Sequence, residues 1–267
     1  MKNINLMIGI IIISFIVLIG VLSFFYTPHD ITQMNVTKRF SSPSFENILG
    51  TDNFGRDILS RIMVGTQTAL FVGFVSVAIG LVFGVFIGAL SGYLGGIFDE
   101  IIMRFMDAML AFPGILFALM FVSIFGVGIK NTIIAIGIMS IPSFARITRS
   151  GVIQHKNFEY VKNAKIKGAG SLRIIFFHIL PNILSPILVA GSLGFSSAIL
   201  SEAGLSYLGL GVQPPYPSWG RMLNESQIFI TISPWYAIAP GLMISLTVLG
   251  FNFLGDGLRD LQDKRKK

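Results

Sequence analysis

The chain has no cysteine and three histidines, and only 12% of its 267 residues are charged, about half the roughly 25% found in soluble domains. Without cysteine there is neither a disulfide framework nor a thiolate metal site, and no other ligand cluster stands out, so no metal is expected. His29, His155 and His178 all fall outside the long apolar runs, so no Ser-His dyad forms at membrane depth and an intramembrane protease of that kind is excluded. No Gly-x-x-x-x-Gly-Lys-Ser/Thr occurs, and with it goes any phosphate-binding loop of that type. Low-complexity stretches and internal repeats are also absent, so residues 1–267 read as a single unit.

What remains is apolar: 53% of the residues are hydrophobic, gathered in runs near the ~20 residues that cross a bilayer core as a helix. Spans are expected at Leu6 to Phe25, Thr68 to Gly92, Ile101 to Phe125, Asn131 to Ala145, Ile183 to Leu205 and Pro234 to Leu254. The first, with no small-residue cleavage site after it, reads as a retained span. The fold class is therefore an all-α membrane protein of about six transmembrane helices. The formal charge of +7 resides largely in one loop and the C-terminal tail, which points to membrane orientation and lipid rather than to nucleic acid. Arg146, Arg149, Lys156, Lys162, Lys165, Lys167 and Arg173 against Glu159 alone place the stretch 146–182 in the cytoplasm. An even number of spans puts both termini there too, in keeping with Lys2 and Lys264-Arg265-Lys266-Lys267. Lys38, Arg39, Arg56 and Arg61 oppose this, offset by neighbouring acids.

Glycines at 80, 84, 88 and 92 repeat every four residues and form one smooth helix ridge suited to close packing in lipid. Residues 27–66 read as an outer loop followed by an interfacial helix, Arg56 to Met63, with Ile58, Leu59, Ile62 and Met63 on one face. Trp219, Trp235, Tyr207, Tyr216 and Tyr236 are expected as an aromatic belt at the outer ends of the last two spans. Within the spans, polar residues are few: Arg104, Asp107, Glu202, Asn252 and Asp256, each read as interfacial or helix-packing before substrate-binding.

The loop 146–182 carries its own helical pattern. Asn157 is placed to cap a first helix, Phe158 to Lys165, which ends at Gly168-Ala169-Gly170; Ser171 is placed to cap a second, Leu172 to Leu180, stopping at Pro181-Asn182.

Tyr160-Val161-Lys162-Asn163-Ala164, Gly168 four residues on, and His178-Ile179-Leu180-Pro181-Asn182 resemble the coupling loop of ABC importer permeases. Gly50-Thr51-Asp52-Asn53-Phe54-Gly55-Arg56-Asp57 and Glu202 through Gly211, continuing over Val212-Gln213-Pro214-Pro215 to Ser218-Trp219-Gly220, resemble the C-type permease of dipeptide, oligopeptide and nickel importers, over about Gly50 to Asp260. The resemblance implies a type I importer transmembrane domain with no catalytic residue. ATP and magnesium would sit on two partner ATPase subunits, with a second homologous permease, an extracytoplasmic binding protein and membrane lipid as the other partners, and no cofactor on this chain. It implies ATPase coupling through Tyr160, Val161, Lys162, Asn163, Ala164, Gly168, Ala169, Gly170, His178 and Pro181. It implies an outer gate or binding-protein contact at Gln213, Pro214, Pro215 and Trp219. Lys162-Asn163 stands where the family has Glu-Ala; either Lys162 repels a basic ATPase group or the position faces solvent and tolerates the change. Small peptides are the expected cargo, with nickel or another chelated metal as the alternative. An independent secondary transporter or channel is the rival class.

Overall fold

A computed structural model describes residues 3–265; Lys2, Lys266 and Lys267, which entered the orientation argument, lie outside them. Ten α-helices order the described chain: α1 Ile4–Phe25, α2 Ile58–Leu94, α3 Gly96–Ala111, α4 Gly114–Phe125, α5 Ile129–His155, α6 Glu159–Ile166, α7 Ser171–Arg173, α8 Leu184–Tyr207, α9 Trp219–Ser226 and α10 Pro234–Arg265. Five continuous helices, α1, α2, α5, α7 running through α8, and α10, are long and apolar enough to cross a membrane; the bent pair α3 and α4 makes a sixth if it counts as one span. The bundle has a basic end, where α6 lies, and a far end, where α9 lies. Asn3 donates to the Gly257 carbonyl at 2.8 Å, so the start of α1 and the last turns of α10 share the basic end.

The most extensive pairing is α2 with α5, and the glycine ridge explains it. Gly80, Gly84, Gly88 and Gly92 are all buried on that seam. A Cβ at Gly80 or Gly88 would overlap the Ser140 side chain or the Ala145 carbonyl, and one at Gly84 would sit 2.6 Å from Phe144 Cβ. With no hydrophobic drive between helices in lipid, such close backbone approach supplies the packing. Gly9, Gly250 and Gly257 let α1 lie equally close to α10.

Three expectations are corrected here. The run Ile101 to Phe125 is not one straight span: it bends by 89° between Ala111 and Gly114. Pro113 favours extended geometry in the residue before it, and Phe112 has φ −85° and ψ 129°. The segment Arg56 to Met63 is not an interfacial helix, because α2 starts at Ile58 and runs unbroken, with Ile58, Ser60, Arg61 and Ile62 all buried. The loop also begins later than Arg146, since α5 continues to His155; Arg146, Arg149 and His155 are helical, and His178 lies in a helical turn.

At the far end α9, absent from the sequence reading, wedges between α8 and α10. Ser218 caps it by accepting the Arg221 N–H at 3.2 Å. Trp219, Met222, Tyr236, Ile58, Ile62 and Ile199 form the core there.

Candidate coupling segment and far-end cap

At the basic end α5 runs into α6 after a three-residue break. Val161 and Ala164, one helical turn apart, face inward and join Val85 and Ala89 of α2, Val152 of α5 and Ile174, Ile175 and Ile179 in one buried cluster. Val161 is wholly buried, and moving such a side chain out of water contributes about 1.5–3 kcal/mol toward holding α6 against the span ends. Tyr160 packs beside this cluster with its hydroxyl buried and unpartnered, and burial pushes its phenol up. The opposite face of α6 offers Phe158, Glu159, Lys162, Asn163 and Ile166 to solvent. Lys162 bonds Glu159 at 2.7 Å, both side chains well exposed, an arrangement worth little to stability.

α6 ends where glycine is required. Gly168 has φ +79°, its N–H reaches Lys165 O at 2.9 Å, and the Ala169 N–H reaches back to Ala164 O at 3.0 Å. This pairing closes the orphan carbonyls of the last turn. The expected caps are not formed: Phe158, not Asn157, stands at the N-cap of α6 without a side-chain bond, and Ser171 is the first residue of α7 rather than its cap. Nor does the second helix stop at Pro181-Asn182. After α7 the chain widens into a π turn, Ile174–Ile179, tightens into a 3-10 turn, Leu180–Ile183, and continues as α8. Pro181 sits at the start of the 3-10 turn, where its missing N–H is least felt. Asn182 donates to the His178 carbonyl at 2.6 Å across the same stretch. His178 is half-buried; Pro181, Gly168 and Gly170 are exposed.

The far end is built differently. Asp52 accepts from the Phe54 and Arg56 amides at 2.8 and 2.9 Å and from Arg56 Nε at 2.6 Å, which closes the Asp52 to Gly55 turn. Asp57 caps α2 through the Ser60 amide at 2.8 Å. Glu225 on α9 gathers Arg56 and Arg61 at 3.3 Å each, Arg221 at 2.9 Å and the Tyr236 hydroxyl at 2.9 Å. Burial pushes the Glu225 carboxyl up, but Arg61, Arg221, Tyr236 and Arg56 outweigh it and hold it below the usual carboxylate range. This hub was not singled out in the sequence; the i,i+4 pair Arg221 and Glu225 behind a capping Ser218 was its available signal.

Of the outer residues, Gln213, Pro214 and Pro215 stand together. The Gln213 amide donates to Gly209 O and Gly211 O at 3.0 and 3.1 Å, and the two prolines are exposed. Trp219 is corrected: it is wholly buried, with its indole N–H on Ile62 O at 3.3 Å, and offers nothing to an external partner in this conformation. The aromatic belt shrinks accordingly, since Tyr236 is also fully buried while Tyr207 and Tyr216 are exposed. Glu202 is fully buried on α8, accepting from Ser206 at 2.6 Å, and Asp107 pairs with Arg146 at 2.7 Å.

The described residues thus form a multi-span bundle with a glycine-ended segment clamped across its span ends. Residues 80–267 match the family described as binding-protein-dependent transport system inner membrane component, and the chain belongs to it. It is thus a multi-pass inner-membrane protein, a non-catalytic subunit that works with an ATPase and a binding protein. It is 46% identical over all of its length, and 88% of the relative's, to the dipeptide transport system permease protein DppC of Alkalihalophilus pseudofirmus. It is 43% identical over its whole length, and 92% of the relative's, to that of Haemophilus influenzae. To the glutathione transport system permease protein GsiD of Pectobacterium atrosepticum it is 48% identical over 84% of this chain and 75% of that one. A solved inward-facing MetNI methionine ABC transporter shares the fold, with TM-score 0.58 and 15% identity over 74% of this chain and 96% of that one.

Proposed function

We propose that this chain is one of two permease subunits of an ATP-driven importer of small peptides, and that α6 with its Gly168 turn is where the ATPase pushes. The observation that carries the proposal is the continuity of α7 into α8: a displacement of α6 is delivered to α5 on one side and, through an unbroken helix, to α8 on the other. The solvent face of α6, with Phe158, Lys162, Asn163 and Ile166, is the surface offered to an ATPase groove, while Val161 and Ala164 hold it to the spans. Tyr160, Ala169, Gly170, His178 and Pro181 belong to the same lever.

The density of Lys and Arg at the basic end supports a cytoplasmic location for it and for both termini. The far-end tip at Gln213, Pro214 and Pro215 then faces the binding protein. ATP and magnesium belong to two ATPase partners, and a second, homologous permease completes the passage as a heterodimer. Peptide cargo is favoured over nickel or another chelated metal by relatives named for dipeptide and glutathione transport.

The test is reconstitution of the chain with its second permease, two ATPases and cognate binding protein in liposomes. ATP-dependent uptake of L-alanyl-L-alanine is expected. Uptake by the chain alone on an ion gradient, or a binding protein that retains a metal chelate instead of peptide, would overturn it.

A further inference from the structure

Between α2, α5 and α8 lies a cavity of about 310 Å³ that no coupling or far-end residue lines. Five serines enter it: Ser76 from α2, Ser140 and Ser143 from α5, Ser197 and Ser201 from α8. The spacings of three on α5 and four on α8 put each pair on one helix face. The rest of the wall is apolar, with Val77, Met139 and Phe144 among it, and no lining side chain carries a charge.

The hydroxyls divide into two sets. Ser76 of α2 donates across to Ile133 O of α5 at 3.2 Å, and Ser140 donates back to Gly137 O in its own helix at 2.7 Å. Elsewhere Ser192 and Thr247 bond carbonyls of their own helices, and Ser196 of α8 donates to Val248 O of α10. Ser143, Ser197 and Ser201 have no partner among the described residues, and all three open onto the cavity. A second cavity, of about 620 Å³, lies along the same α5 and α8 seam toward the basic end and shares the Ile147 wall. Its lining mixes apolar wall with polar side chains, Arg146, Gln154, His155 and Asn182 among them. The two together make a seam that is neutral and hydroxyl-bearing at mid-bundle and more polar at the cytoplasmic mouth. Its walls, α5 and α8, are the two spans that flank the coupling lever.

We propose that this seam is the cargo-facing side of the subunit, and that Ser143, Ser197 and Ser201 exchange hydrogen bonds with the backbone amides of a peptide in transit. The inference rests on the peptide-importer reading above. Hydroxyls both donate and accept, so they suit the N–H and C=O groups common to every peptide whatever its side chains. A neutral wall neither holds nor repels a charged side chain, which matches a passage that must release each cargo.

The absence of native cysteine makes the test direct. Ser143→Cys, Ser197→Cys and Ser201→Cys are made singly in the complete transporter, its other subunits freed of reactive thiols, and exposed to a water-soluble charged methanethiosulfonate. Labelling of all three, slowed at least threefold by L-alanyl-L-alanine during turnover, is expected. Ser14→Cys and Ser245→Cys, exposed on the outer sides of α1 and α10, should stay unlabelled. Absence of labelling at the three cavity positions in a transporter that imports the dipeptide would overturn the inference. Labelling that the dipeptide does not slow in such a transporter would overturn it equally. If the unmodified complex imports no dipeptide, the cargo reading itself fails, which the uptake measurement reports separately, and the peptide role of the serines falls with it.

Discussion

Arg149 grips Asp99 through two parallel hydrogen bonds of 2.6 Å, Nε to Oδ1 and Nη2 to Oδ2, and so fastens α3 to the last turns of α5. Arg146 and Asp107 repeat the link at 2.7 Å one turn earlier on α5. Because α3 and α4 meet at a sharp bend, these ion pairs, more than any continuous helix, fix where α3 lies. Asp99→Asn should destabilise the purified protein by about 1.5–3 kcal/mol, the usual range for a charge-assisted bond. The exchanged pair Asp99→Arg with Arg149→Asp should recover part of that loss. Thermal unfolding in detergent across the double-mutant cycle measures it, and strictly additive losses would contradict the pairing.

The Gly168 turn makes a second prediction. A side chain there meets nothing within 4 Å, so the only penalty is the left-handed backbone, about 1–2 kcal/mol and more for a β-branched residue. Gly168→Val should insert normally but lose most ATP-driven uptake in the reconstituted complex. Gly168→Asn, which tolerates this conformation, should retain most of it. Equal uptake by both variants would show that the turn geometry does not matter to coupling.

Close packing on α2 gives a third. Gly88→Ala would drive a methyl into the Ala145 carbonyl and should destabilise by about 1–3 kcal/mol. Gly191→Ala on α8, where nothing lies within 4 Å, should instead stabilise by about 0.5–1 kcal/mol, the helix-interior difference between glycine and alanine. Unfolding midpoints of the two variants side by side decide the matter.

Acid should loosen the far-end cap. Glu225 is held below its ordinary pKa, so its contribution is complete above about pH 4.3 and is lost as pH falls through the lower folded value. Hydrogen exchange over α9 is expected to be flat from pH 7 to 5, after correction for intrinsic rates, and to rise below about pH 4. Glu225→Gln should exchange faster at pH 7 and lack the acid step.

Some of this arrangement was legible from residues alone. The four-residue glycine spacing identified the α2 seam because only one helix face repeats at that interval, and Gly168 announced its turn because other residues resist that backbone. Pro113 was a visible signal for a kink in its apolar run, but the 89° angle was not legible, since such a run has the same composition straight or sharply folded. The burial of Arg61 was not legible either, because its partner, Glu225, lies 164 residues away, and nothing local reveals a pairing at that distance. Pro181 was read as a stop, as proline in a helix interior usually is. The π and 3-10 turns around it re-space the ladder and let the helix continue.

That re-spacing also sets a phase. In an α-helix each residue advances about 100° around the axis, so the number of residues in Ile174–Ile179 decides which compass direction α8 presents 20 residues later. Removing one residue there would disturb the spacing that accommodates Pro181. It would also swing Ser197 and Ser201 about a quarter turn away from α5, and the lever would go on moving a wall that no longer faced the cargo.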